Sequence, residues 1–172
     1  MQVAEAAMES SQARFQVLLE QNRGIVLKVA HTYCRHPEDR RDLVQEIAAQ
    51  LWRAYPGYDE TRSFSTWMYR IALNVAILHL RGAGYRDRHV SSLDDDALAA
   101  IPDPAPHEPD DRIRTLYGVI DRLDDLNRAL MLLYLEDRSY REIAEVLGIS
   151  ETNVATKVNR LKQRIRNDFS DD

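Results

Sequence analysis

The chain has 172 residues, 44% of them apolar and 30% charged, a length that holds one medium domain or two small ones. A single cysteine excludes an intrachain disulfide and a four-thiolate zinc site, which argues against a stapled secreted scaffold. A net charge of −5 argues against a nucleic-acid partner only until its distribution is followed along the chain.

The first residues carry Glu5 and Glu9 where a secretory peptide needs a basic start, and no apolar run approaches the roughly 18 residues of a membrane span. A cytoplasmic protein without membrane insertion is expected. Phe15, Leu18, Leu19, Val26, Val29, Ala30 and Tyr33 recur at three- and four-residue spacing and predict one long amphipathic helix. Pro37 at a first-turn position, followed by Glu38 and Asp39, opens a second helix with Leu43, Ile47, Leu51 and Trp52 on its inner side, and Pro56-Gly57 ends it. After a polar loop over 58–63, Trp67, Ile71, Val75 and Leu78 define a third helix reaching about Arg81, where Gly82 stops it. Residues 1–81 are expected to form a helical bundle.

Residues 82–111 hold 2 basic and 8 acidic side chains, with Asp94, Asp95 and Asp96 in a row and prolines at 102, 104, 106 and 109. That composition predicts a flexible acidic linker, with at most a short helical turn over 92–100. Beyond it, 112–122 and 126–135 read as helices. Ser139-Tyr-Arg-Glu142 is a capping box that opens a short helix to Leu147; Gly148 turns the chain, and Ser150 caps a last helix running to about Arg166. The fold class is all-α: an N-terminal bundle (1–81), the linker (82–111) and a C-terminal domain (112–172).

Ala144, Gly148 and Val154 have the spacing of a helix-turn-helix, with Ile143, Leu147, Ile149, Val154, Val158 and Leu161 on its buried side. The last helix then turns Ala155, Thr156, Lys157, Asn159, Arg160 and Lys162 outward. From Ser150 to Asn167 there are five basic residues against one acid, a local +4 inside an acidic protein. Asn and Arg can read base edges in a major groove, while Lys and Thr can hold phosphates. A plain helical hairpin with a solvated charged face is the competing reading.

In the N-terminal part, Trp67, Arg70 and Asn74 fall on one helical stripe that carries a stacking surface, a cation and an amide. Aromatic platforms hold single-stranded DNA, and an amide can read the pairing edge of an unstacked base. Aromatics at helical spacing also build cores, so both readings stand at this point. Asp42, Gln45 and Glu46 share an exposed face of the second helix, where two acids one turn apart repel each other. His31, Cys34 and His36 are the one metal-like grouping, but they do not share a face and no second ligand pair follows, so no metal is expected. With no glycine-rich phosphate loop, nucleophile elbow or di-iron carboxylate motif, neither an enzyme nor a cofactor is expected.

These residues together resemble a known family, the short extracytoplasmic-function (ECF) type sigma factors of bacterial RNA polymerase. The run Asp42-Leu-Val-Gln-Glu46 followed by Phe64-Ser-Thr-Trp67-Met-Tyr-Arg-Ile-Ala-Leu-Asn74 is similar to the family's second conserved region. Ser139-Tyr-Arg-Glu-Ile-Ala-Glu-Val-Leu-Gly-Ile-Ser150 and the helix after it resemble the fourth. The resemblance implies a specificity subunit of core RNA polymerase that reads promoter DNA at two elements. Asp42, Gln45 and Glu46 match the face that docks on the clamp helices of the largest subunit, and the C-terminal domain would meet the flap. Phe64, Ser65, Thr66 and Trp67 match a loop that shapes a pocket for a flipped base of the minus-ten element, with Arg70 and Asn74 beside it. Ala155, Thr156, Lys157, Asn159, Arg160 and Lys162 match the reader of the minus-thirty-five element. The linker matches a segment that threads the polymerase's active-site and exit channels, and an anti-sigma protein is a further implied partner.

The sequence departs from the family where Ala155 replaces an often basic residue and Asn159 an often apolar or aromatic one, so no promoter sequence transfers. A helix-turn-helix regulator with a helical sensor domain is the alternative function, and an interaction protein that inhibits a sigma factor is a third.

Overall fold

The apolar period running from Phe15 to Tyr33 is carried by two helices, α1 (Gln2–Gln21) and α2 (Arg23–Tyr33), and not by the single one expected. The break is Asn22, whose side-chain amide donates to the Leu18 carbonyl (2.9 Å) while its backbone N–H reaches Leu19 (3.1 Å). Asparagine competes with the helix ladder by bonding the backbone itself, and here that closes α1. Only one residue separates the helices, so the apolar phase carries across.

The structure is a computed structural model and describes residues 2–82 and 111–170, which fall into two units, one on each side of that gap. The expected linker, including the turn over 92–100, lies outside the described residues except for its ends, Gly82 and Asp111. Among the described residues there is no strand, and no helix is long and apolar enough to cross a membrane.

In the first unit, α2 and α3 (Pro37–Ala54) pack on each other and on α4 (Phe64–Arg81). Pro37 starts α3, with Glu38 and Asp39 in the first turn where the helix dipole favours them. The core is built from Val26, Val29, Leu43, Ile47, Leu51, Met68 and Tyr69. A 3₁₀ turn, Tyr55–Gly57, follows α3 and leads into the loop 58–63. The helix α4 ends at Gly82 as expected, but with φ −113°, so the stop is not a left-handed cap.

The apolar residues that mark α4 in the sequence are not its most buried ones. Its buried residues are Phe64, Thr66, Met68, Tyr69, Ala72, Leu73 and Ala76, whereas Trp67, Ile71 and Val75 are half-buried and Leu78 is 66% exposed. This helix is apolar nearly all round, so a helical stripe can be drawn on either face. Ala72 and Ala76, one turn apart, settle the matter, because small side chains let α4 approach two neighbours closely.

The second unit holds α5 (Asp111–Asp121), α6 (Asp125–Leu135), α7 (Tyr140–Leu147) and α8 (Glu151–Ser170). Asp124 caps α6 by accepting from the Asn127 N–H (3.0 Å), which holds its carboxyl below the usual aspartate range. The Arg128 guanidinium donates to the carbonyls of Asp121 (2.8 Å) and Leu123 (3.2 Å) and so closes the end of α5. Asp137 ends α6 in the left-handed region (φ 54°), and the N–H of Arg138 reaches back to the Leu133 carbonyl (3.1 Å). Leu130, Leu133, Ile143, Val154 and Val158 form the core. The last helix runs one turn beyond the expected Arg166.

Candidate nucleic-acid interface

The loop 58–63 delivers α4 with a fixed start. Asp59 accepts from the N–H (3.0 Å) and hydroxyl (2.7 Å) of Thr61, which holds its carboxyl below the usual range, with Arg62 a lesser contributor. The Tyr58 hydroxyl donates to the Arg62 carbonyl (2.6 Å), and desolvation followed by the charge of Glu60 pushes its phenol up. Ser63 caps α4 through the Thr66 N–H (3.4 Å).

This closed loop sets Tyr58 against the first turn of α4. Its ring centroid lies 5.0 Å from Trp67 and 5.3 Å from Phe64, and Tyr55 stacks on it at 6.1 Å while meeting Trp67 edge-on at 6.4 Å. The ridge continues inward, with Phe15 5.0 Å from Tyr55 and 5.3 Å from Trp52. Phe64 and Thr66 are buried and form the wall, Ser65 bonds the Ser63 hydroxyl (3.0 Å), and Trp67 keeps part of its indole open. Phe64 to Trp67 thus form the first helical turn, while the loop proper is 58–63. Arg70 and Asn74 are exposed on the Trp67 side of α4. An aromatic surface with a half-buried indole, a cation and an exposed amide along one stripe can stack an unpaired base and bond its edge. Tyr58 belongs to this surface, a residue that sequence reasoning left in a polar loop; its place three residues after Tyr55 and next to Pro56-Gly57 was the available signal.

On α3, Asp42 and Gln45 are exposed and Glu46 is half-buried, its carboxylate accepting from the Gln50 amide (3.0 Å). The three share one face, as expected.

The helix-turn-helix is built from local rules. Ser139 and Glu142 make both bonds of the capping box, the Glu142 N–H to the Ser139 hydroxyl (3.2 Å) and the Ser139 N–H to the Glu142 carboxylate (2.9 Å). Gly148 then turns at φ +68° with its N–H on the Ala144 carbonyl (2.9 Å), and Ser150 caps α8 through the Asn153 N–H (3.1 Å). Ile143, Ala144, Val146, Val154, Val158 and Leu161 are buried, while Leu147 and Ile149 are only half-buried. Thr156, Asn159 and Arg160 are exposed on α8, whereas Ala155, Lys157 and Lys162 are half-buried on its flanks. Lys162 differs from the outward placement expected of it: its ammonium lies 4.9 Å from the centre of the Tyr134 ring on α6, a cation–π contact. Asn153 and Gln163, exposed at helical spacing from Thr156 and Arg160, extend the outer stripe and were missed.

The hydrogen bond from the Ser139 backbone is the largest reason that the Glu142 carboxyl titrates below the usual glutamate range. A lowered folded-state pKa stabilises the fold above the unfolded value, and that gain disappears as pH falls through the folded one. Ser139→Ala is expected to cost about 1 kcal/mol at neutral pH, and less in acid, where protonated Glu142 has already released the cap. Urea unfolding of both proteins at the two pH values checks this.

His31, Cys34 and His36 do not converge. Cys34 is buried at the end of α2, with its thiol pushed up by desolvation, and His36 is exposed. Among the described residues no three His, Cys, Asp or Glu side chains group as an ion would require.

Compared with known proteins, residues 18–85 match the family model described as Sigma-70 region 2, and residues 113–165 match Sigma-70, region 4. The chain is similar to the RNA polymerase sigma-H factor of Pseudomonas aeruginosa, at 29% identity over 95% of this chain and 90% of that one. It is also similar to the ECF RNA polymerase sigma-E factor of Escherichia coli (strain K12), at 28% identity over 96% and 91%. Among solved structures, that of CnrH in complex with the cytosolic domain of CnrY matches with a TM-score of 0.68 at 22% identity over 96% of each chain, which shows a shared fold.

Proposed function

Because this chain belongs to the sigma-70 family, as an ECF-type sigma factor that directs promoter recognition by RNA polymerase, we propose that its two units divide the reading of the promoter between them. The first unit docks on core polymerase through Asp42, Gln45 and Glu46, against the clamp helices of the largest subunit, and the second meets the flap. Trp67 stacks on a flipped base of the minus-ten element, Asn74 bonds its pairing edge and Arg70 neutralises the adjoining backbone. Phe64, Ser65 and Thr66 hold the wall of that pocket. In the second unit Thr156, Asn159 and Arg160 face the minus-thirty-five bases, and Lys157 flanks them toward the phosphates, with Lys162 held over Tyr134 and Ala155 packed at the edge.

No chemical step is needed. Holding a base out of the stack costs a few kcal/mol, which contacts made only with the melted strand supply, so the protein acts without catalysis or cofactor. Two modest readers on one tether, 82–111, gain by effective concentration once polymerase fixes their spacing. A regulatory protein that covers one or both units in the cytoplasm is part of the same proposal; the solved complex of CnrH with the cytosolic domain of CnrY supports it.

The observation that carries the proposal is the half-buried Trp67, aligned with exposed Arg70 and Asn74 in the same chain as a capped helix-turn-helix. A regulator with a sensor domain would have no use for that open surface. The test is to add the purified chain to core polymerase and map transcript starts on genomic DNA. Starts sharing a two-part upstream sequence, absent with core alone, are expected; specific nanomolar duplex binding by the chain alone, unimproved by polymerase, contradicts it.

A further inference from the structure

The base-reading surface is held from a distance by the N-terminal helix. Among the described side chains of α1 Phe15 is the one that is fully buried, with Ser11, Gln12, Leu18 and Leu19 half-buried around it. Beside Phe15, Arg14 forms a two-pronged ion pair with Glu60 in the loop, one nitrogen 2.8 Å from one carboxylate oxygen and the other 2.9 Å from the second. The partners are 46 residues apart in sequence. A polar cleft of about 290 Å³, lined in part by Ser10, Ser11 and Tyr55, lies between α1 and the loop. Across that cleft the ion pair is a direct polar link between α1 and the loop. Glu60 is two residues from Tyr58, whose ring abuts Trp67 at 5.0 Å.

We infer that Arg14 and Glu60 are a coupled pair of positioning residues, through which α1 holds the loop 58–63, and with it Tyr58, at the setting that lets the Trp67 surface discriminate between bases. The inference rests on the base-trapping reading given above and adds to it a specificity determinant outside the reading surface. Neither residue touches DNA in this role; both act through Tyr58.

The test is a charge-reversal cycle in polymerase holoenzyme, comparing Arg14→Glu, Glu60→Arg and the double reversal on promoters that differ only at the trapped base. The readout is the ratio of initiation between the best and the other bases. Loss of folded protein, weaker polymerase docking or altered phosphate attraction lowers all promoters alike and leaves this ratio unmoved. Each single reversal is expected to flatten it about two- to five-fold, the size of an exposed ion pair, and the double reversal to restore it. Raised salt should flatten the wild-type ratio and, by screening the like-charge repulsion, bring the single variants closer to it. An unaltered ratio in the single variants, or a double reversal that restores nothing, overturns the inference. Trp67→Ala serves as the reference: if it flattens the ratio while the cycle does nothing, the positioning role alone fails; if it too leaves the ratio intact, the base-trapping reading fails first.

Discussion

Trp67→Ala combined with Asn74→Ala should reduce promoter opening on the order of 100-fold or more, while leaving recognition of the upstream duplex in place. Stacking on an aromatic ring is worth about 1–3 kcal/mol per base, and a well-placed amide on a base edge about as much again. Both are available only to a base already out of the helix, so their loss falls on melting and not on docking. Permanganate reactivity of the unpaired strand, compared with total promoter occupancy by the holoenzyme, separates the two. A template melted in advance should recover much of the lost initiation. Trp67 also packs on Tyr58 and Phe64, so some loss of stability accompanies its removal. If that loss were the whole effect, occupancy and opening would fall together, and the melted template would rescue nothing.

The largest stability effect is expected from Phe15→Ala. The ring is 0% exposed and contacts both Trp52 and Tyr55. Truncating a fully buried phenylalanine costs about 3–5 kcal/mol, a large part of the 5–15 kcal/mol that holds a typical domain. The loss should concentrate in α1, because Phe15 is its one fully buried side chain among the described residues. Hydrogen exchange should therefore show Gln2–Gln21 losing protection well before α2, α3 and α4, with the denaturation midpoint of the whole unit lowered as well. Uniform loss of protection across the four helices would mean instead that α1 is integral to the bundle.

How much of this was legible in the amino-acid order depended on whether the deciding interaction was local. The C-terminal unit was readable because its signals span only a few residues: the Ser139–Glu142 box sets the phase of α7, Gly148 sets the turn, and the spacing to Val154 sets which side of α8 is buried. The outward placement of Thr156, Asn159 and Arg160 follows from those three points. In the N-terminal unit Trp67, Arg70 and Asn74 were read as one stripe, and so they lie, but the apolar run that marked the helix, Ile71, Val75 and Leu78 included, is not its most buried side. Periodicity cannot orient a helix that is apolar on both sides; the packing partners orient it, and the clue was the pair of small residues at 72 and 76. The break at Asn22 escaped because one interrupted residue barely changes the phase. Contacts across the chain, such as Arg14 with Glu60, Lys162 with Tyr134 and Tyr58 with Trp67, exist only once the helices are assembled.

The turn at Gly148 has one more implication. A side-chain carbon added there would meet nothing within 4 Å, yet the backbone sits at φ +68°, where ordinary residues are strained. The position is therefore selective for handedness and indifferent to bulk. A mirror-image alanine, introduced by chemical ligation, would fit without penalty where its natural enantiomer would not, and would brace the hinge of the reading head by removing conformations from the unfolded chain.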